Sequence, residues 1–210
     1  MNPLLSIWSQ PTKTLQYMLE KKSVGYGFLI FLLGSISTGV ISTATTGWFN
    51  GLPLFIIVFM SIVTSYAGAL LGWVIVSALY TWIGKWLGGT GKYSEMIHVT
   101  PAATIPMIWL APMNFLILAI YGSRLFEVPT ENFGVTNLPL GVYFLMNLIS
   151  LGVGIYGTVI SCKGIGLVHN FSAWRGFGVV AILMGIGIVL TIVFSLIIGL
   201  ALISFFMALG

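Results

Sequence analysis

Aspartate does not occur in this chain of 210 residues, and its only carboxylates are Glu20, Glu95, Glu127 and Glu131. General acid–base work and di-metal sites draw on convergent carboxylates and histidines. Hydrolytic and phosphoryl-transfer chemistry therefore find little to use, and no catalytic residue, cofactor or metal site is assigned. Cysteine occurs once, at Cys162, which excludes an internal disulfide and reads as a small buried apolar side chain. Charged residues make up 6% of the chain, against about 25% in an ordinary soluble domain. A water-soluble surface cannot be built from that composition.

What fills the chain is apolar: 58% hydrophobic residues and a mean hydropathy of +1.08. Hydrocarbon about 30 Å thick selects helical runs of about 20 such residues. Five runs stand out, at 24–45, 53–83, 99–121, 138–162 and 176–208. They predict an all-α polytopic membrane protein, a five-helix transmembrane bundle at 24–210 preceded by a short amphipathic segment at 1–23. The first run follows Lys21 and Lys22 and is too long for the apolar region of a cleavable signal, so it is expected to remain. The second and fifth are long enough to require tilt, a kink or protrusion.

Net charge is +4, and the eight basic residues are scattered rather than clustered, so nucleic acid is not an expected partner. Lys13, Lys21, Lys22, Lys85, Lys92, Lys163 and Arg175 fall on one side of the predicted bundle and Arg124 alone on the other. The positive-inside rule then gives a cytoplasmic N-terminus and an external C-terminus. In the N-terminal segment, Pro3 and Pro11 suit first helical turns. Leu4, Leu5, Ile7 and Trp8, then Leu15, Met18 and Leu19, oppose Lys13, Gln16 and Glu20. Such helices either lie in the headgroup layer or pack on the inner ends of the bundle.

Several constellations invite a functional reading. Glu95 and His98 have metal-ligand spacing on a helix, but the motif occurs once, and a helix start with a solvated histidine explains it. Glu127 and Glu131 sit in the longest external connector with Pro129 and Asn132 and offer oxygens to Ca²⁺ or a cationic solute, but a loop simply kept polar explains them. LGGTGKY at 87–93 lacks the spacing of a phosphate loop. Pro101, Pro106 and Pro112 must break the third run, each removing a backbone donor. Broken membrane helices recur at transport sites, so these prolines with Asn114 and Asn147 are a candidate cavity; the alternative is a kinked structural helix whose asparagines bond its neighbours. No ionisable residue is predicted at mid-membrane, which argues against a proton-coupled pump. Gly68 with Gly72, Gly34 with Thr38 and Ser195 with Gly199 have small-xxx-small spacing, read as packing within one bundle or as the seam of a homo-oligomer.

Three stretches, NPLLSIWSQPTKTL at the start, GGTGKYSEMIHVTPAATIP at 88–106 and NFSAWRGF at 170–177, together resemble the bacterial branch of the Yip domain family, the Ypt/Rab-GTPase-interacting membrane proteins. The resemblance covers nearly the whole chain in order and spacing. It implies a five-helix membrane domain with a cytoplasmic N-terminus, in a family whose eukaryotic members act in early secretory traffic and bind Rab-type GTPases. Family-like positions are Asn2, Pro3, Trp8 and Pro11; Gly88, Gly89, Glu95 and Pro106; and Phe171, Ser172 and Trp174. Relatives tend to read Glu-Val-Gln-Gly where this chain has Leu167, Val168, His169 and Asn170, so a carboxylate is missing. The inner N-terminal part is about 22 residues, too short to carry Rab binding over.

The expected function is that of a non-enzymatic membrane protein that organises other membrane proteins or the bilayer. Its expected partners are membrane lipids and a membrane protein or further copies of itself, in a bacterial plasma membrane. Trp8, Gly88, Gly89, Glu95, Phe171, Ser172 and Trp174 form its candidate docking face. The alternative is a small channel or transporter for a neutral solute, lipid or ion, using the candidate cavity.

Overall fold

Helix breakers punctuate the chain. The computed structural model describes residues 1–130 and 134–209, the side chains of 203 and 205–209 excepted. Asn2 caps α1 (Pro3–Ser9) by accepting the Leu4 N–H at 3.1 Å, and Pro11 opens α2 (Pro11–Lys21). There follow α3 (Val24–Thr38), continued by a 3₁₀ turn over Gly39–Ile41, and α4 (Leu54–Trp86). The third span is divided into α5 (Tyr93–Val99), a 3₁₀ turn over Thr100–Thr104, α6 (Ile105–Ile108) and α7 (Ala111–Tyr121). A 3₁₀ turn over Gly122–Phe126 leads outward, and the hairpin of α8 (Leu140–His169) and α9 (Ala173–Leu209) ends the chain. Among the described residues there is no strand.

Four spans are long and apolar enough to cross a membrane: Val24–Ile41, Leu54–Trp86, Leu140–His169 and Ala173–Leu202. Tyr93–Ile108 and Ala111–Phe126, which meet at 48°, supply a fifth if taken as one broken span. The protein is thus an all-α polytopic membrane protein. Three boundaries differ from those expected. Helix α5 begins inside the presumed connector, because Glu95 accepts the Lys92 N–H at 3.1 Å and completes a capping box there. Helix α8 runs seven residues beyond 162, because Gly164 and Gly166 let Val99 and the α9 entry approach closely. It stops at Asn170, which adopts φ 56° as a left-handed cap. At the far side of that turn α9 begins at Ala173, three residues early, with Ser172 at its entry.

Packing is uneven along the bundle. The larger core lies at the basic end, where Ile7, Leu15 and Met18 of the N-terminal helices meet Ile83, Met96, Ile105, Ile160 and Ile165. The N-terminal helices therefore pack on α5, α6 and α8. A smaller cluster of Ile57, Ile117, Leu125, Phe126, Leu138 and Met146 closes the opposite end. Cys162 is buried, as a small apolar residue would be. From Gly185 onward nearly every described residue of α9 is exposed, so its second half leaves the bundle.

Glycine spacing does not forecast which glycines pack. A Cβ on Gly34 would meet Thr104 at 2.7 Å, whereas Gly68, Gly72 and Gly199 have nothing within 4 Å. The tightest helix crossing is at Gly176, where a Cβ would lie 3.0 Å from the Cys162 carbonyl carbon and closer still to its oxygen. Overfilling a packed site costs about 1–3 kcal/mol. Gly176→Leu should lower the thermal midpoint of the detergent-solubilised protein, while Gly187→Leu, which has open space, should leave it within error of the parent.

Candidate functional site

The GxxxG-like arithmetic of the sequence missed a more local use of glycine at the basic end. Helix α4 terminates with Gly88 at φ 82° and the Gly89 N–H returning to the Gly84 carbonyl at 2.9 Å, the closure that a left-handed glycine permits. The chain then passes directly over His169, the last residue of α8. Its imidazole is 1% exposed and lies between Gly84 and Gly89, each of which would drive a Cβ into the ring. The Gly91 N–H donates to Nδ1 at 3.1 Å. That bond leaves Nε2 protonated and able to donate to the Tyr80 carbonyl, 3.2 Å away. Thr90 N–H donates to the His169 carbonyl, and Asn170 Nδ2 to Thr90 Oγ1.

Phe171 stacks on the imidazole, with centroids 5.3 Å apart and planes 10° from parallel. One histidine thus joins the exit of α4, the glycine connector and the α8–α9 turn. Gly89 and Phe171 belong to this joint, and Gly88 sets the turn that enters it. Glu95 is spent on its own helix start, and His98 Nδ1 lies 2.6 Å from the Ser94 carbonyl one turn back. Among the described residues no three His, Cys, Asp or Glu side chains gather as metal ligands.

Around the joint, aromatic rings stand outward. Trp174 is 81% exposed and edge-on to Phe177; Trp82 and Trp86 are each 55% exposed and pack against one another with centroids 4.4 Å apart. Ser172 is exposed beside Trp174. Trp8 stands elsewhere. It stacks on Tyr156 at 5.1 Å, and the Tyr156 hydroxyl donates to the Ile7 carbonyl at 2.7 Å. Tyr156 precedes His169 by thirteen residues of α8, about 20 Å along a helix axis. The seven residues of the candidate docking face therefore form two groups: the six around the connector and turn, and Trp8.

The five residues of the candidate cavity do not line one space. Pro101 and Pro106 are buried, and all three prolines open the short helical pieces that follow the breaks. Asn114 is 3% exposed and donates to the Ser37 carbonyl at 2.9 Å; Ser37 Oγ in turn donates to the Met107 carbonyl at 2.8 Å. Asn147 lies on an exposed face of α8, bonded to the Tyr143 carbonyl one turn back. It borders a cavity of about 220 Å³ at the opposite end with Thr45, Asn137 and Ser150, and none of the prolines reaches that space. Near that end Glu127 offers its carbonyl to Asn137 Nδ2 at 2.8 Å. Glu131 and Asn132, which the sequence paired with Glu127 as oxygen donors, lie outside the described residues.

The model of the Yip1 domain matches residues 5–195, which include the glycine connector, the broken span and the α8–α9 turn. The chain belongs to the Yip1 domain family. This Yip1 domain thus comprises all of the bundle described above except the first four residues and the end of α9. No curated protein and no solved structure shows significant similarity to the chain. His169, absent from the candidate residues of the sequence, is the centre of the family-like region here. The signal was available in the glycines at 84, 89 and 91, but their common neighbour lies in another part of the chain.

A buried donor left without its acceptor costs about 1–3 kcal/mol. His169→Leu should destabilise the protein by that order in equilibrium unfolding, because the Gly91 N–H is orphaned. His169→Gln, which keeps one acceptor and one donor, should lose less.

Proposed function

We propose that this Yip1 domain protein is a non-enzymatic organiser of other membrane proteins, its basic end facing the cytoplasm in a bacterial plasma membrane. The supporting observation is the helix surface that the chain leaves unused. Nearly every described residue of α9 from Gly185 onward is exposed, and an added Cβ at Gly68 or Gly72 of α4 has nothing within 4 Å outside its own helix backbone. In hydrocarbon, helices associate where small residues let backbones approach, since lipid tails are as apolar as leucine. Such a face on α4 suits a second membrane helix, from another protein or a second copy of this chain. The exposed rings of Trp82, Trp86 and Trp174 set the depth of that helix surface at the inner interface, where amphipathic aromatics partition.

Permeation has less support from the geometry. The polar groups of the broken span bond to α3, with Asn114 donating to the Ser37 carbonyl and Ser37 Oγ to the Met107 carbonyl. No family role in GTPase binding is carried over.

Native mass spectrometry of membrane patches tests the reading. The parent should retain one partner, a different membrane protein or another copy, at fixed stoichiometry. Gly68→Leu with Gly72→Leu should reduce that retention at least fivefold with little change in the thermal midpoint, because an added Cβ at either position has nothing within 4 Å. Retention unaffected by the double variant would remove α4 as the organising surface.

A further inference from the structure

Lys163 is the one basic residue carried on α8 before its C-terminal His169, and its position is unusual for an interfacial lysine. Its side chain is partly buried and has no hydrogen-bonding or ionic partner among the described residues. It does not extend alone from a lipid-facing ridge. It lines a groove of about 390 Å³ together with Thr12 from the start of α2, Gly166 and Asn170 from the end of α8, and Phe171 and Ala173 from the turn into α9. Two segments distant in sequence, the start of α2 and residues 163–173, thus flank one cation.

Depth identifies what the cation faces. Lys163 follows Leu140 by twenty-three residues of unbroken helix, about 35 Å of rise. Hydrocarbon occupies about 30 Å of such a span, with headgroups beyond it. The groove therefore opens at the level of lipid phosphates rather than in the acyl region or in bulk water. Trp174, 81% exposed one residue beyond the groove, has the amphipathic ring that concentrates at this depth.

Charge narrows the ligand. No carboxylate lines the groove, so the ammonium of a zwitterionic headgroup finds no counter-charge there. Over the whole basic end, Lys13, Lys21, Lys22, Lys85, Lys92, Lys163 and Arg175 face only Glu20 and Glu95. Donors other than Lys163 are available as well. Thr12 contributes a hydroxyl, and the Ala173 amide precedes the first hydrogen-bonded turn of α9 and has no acceptor among the described residues. Basic pockets between membrane helices on the inner side are suited to anionic headgroups.

We propose that this groove binds the phosphate of an anionic glycerophospholipid, with Lys163 as its counter-charge and Thr12 as a hydrogen-bond donor. The lipid ties α2 to the α8–α9 turn from the membrane side. This site does not depend on a protein partner at α4, and its test reads lipid alone.

The full chain is purified and delipidated in mild detergent, then titrated with phosphatidylglycerol or phosphatidylcholine of matched acyl chains while bound lipid is counted by native mass spectrometry. One phosphatidylglycerol should be retained at least fivefold more tightly than phosphatidylcholine. Lys163→Gln should abolish that preference, Lys163→Arg should restore it, and Lys92→Gln should leave it intact. Equal preference in the parent and Lys163→Gln overturns the site, as does equal loss in Lys92→Gln, which would show a diffuse basic surface. Displacement of the lipid by millimolar inorganic phosphate overturns the lipid assignment in favour of a free-anion site. Circular dichroism on each variant distinguishes loss of binding from loss of fold; were Lys163→Gln to unfold, Thr12→Val is read in its place, and an undiminished preference there counts against the groove.

Discussion

In a bilayer core no water is available to a backbone carbonyl or amide that its helix has released, and each orphan costs several kcal/mol. That constraint governs the most irregular part of this protein. Pro101, Pro106 and Pro112 divide the third span, and the chain answers with side chains of the first: Ser37 donates to the Met107 carbonyl, and Asn114 returns a bond to the Ser37 carbonyl. Trp73 of α4 supplies a further donor to the Ile97 carbonyl at 2.9 Å. A broken helix can persist here only because α3 and α4 pack against it. The three elements are consequently one unit, and Asn114, read from the sequence as part of a pathway, is consumed in holding it together.

The same demand for satisfaction explains the basic end. Two long helices, α4 and α8, terminate there, and each end exposes carbonyls that have no partner in their own helix. Gly88 turns the α4 exit back on itself, Asn170 does so for α8, and His169 bridges the two through Tyr80 and Gly91. Glycine is required at 84 and 89 for space, because the imidazole occupies the volume a side chain would need. The joint fixes the turn that presents Phe171, Ser172 and Trp174, so whatever meets that surface meets a rigid edge.

Legibility in the sequence followed the physics of each feature. Spans were readable because hydrocarbon imposes a length and a composition on every crossing helix, and the positions of Lys21, Lys85 and Lys163 marked their basic ends. Prolines announced the breaks at Pro101 and Pro106, since a missing donor is a local property. The docking candidates at 88–89 and 171–174 emerged from motif resemblance, and the structure places them around one joint. Its central residue was not readable: the contact between His169 and Gly91 joins positions 78 residues apart, and nothing local distinguishes a clamped histidine from a solvated one. Glycine spacing misled for a related reason. Gly68 and Gly72 have the separation that close packing favours, yet separation says nothing about which face of α4 meets its own bundle.

That last mismatch has a physical consequence. A soluble protein that left α9 bare over most of its length would aggregate, because exposed apolar patches of that extent are driven together by water. In lipid the drive is absent, so a helix can cross the bilayer without a partner in its own chain, held by its length and by the interfacial rings at its entry. What remains to favour association is shape: small residues on the 33-residue α4, with open space for an added Cβ at Gly68 and Gly72. Bonding is therefore unevenly distributed in the fold. The basic end is densely bonded, and the helices that extend from it leave apolar surface to the membrane.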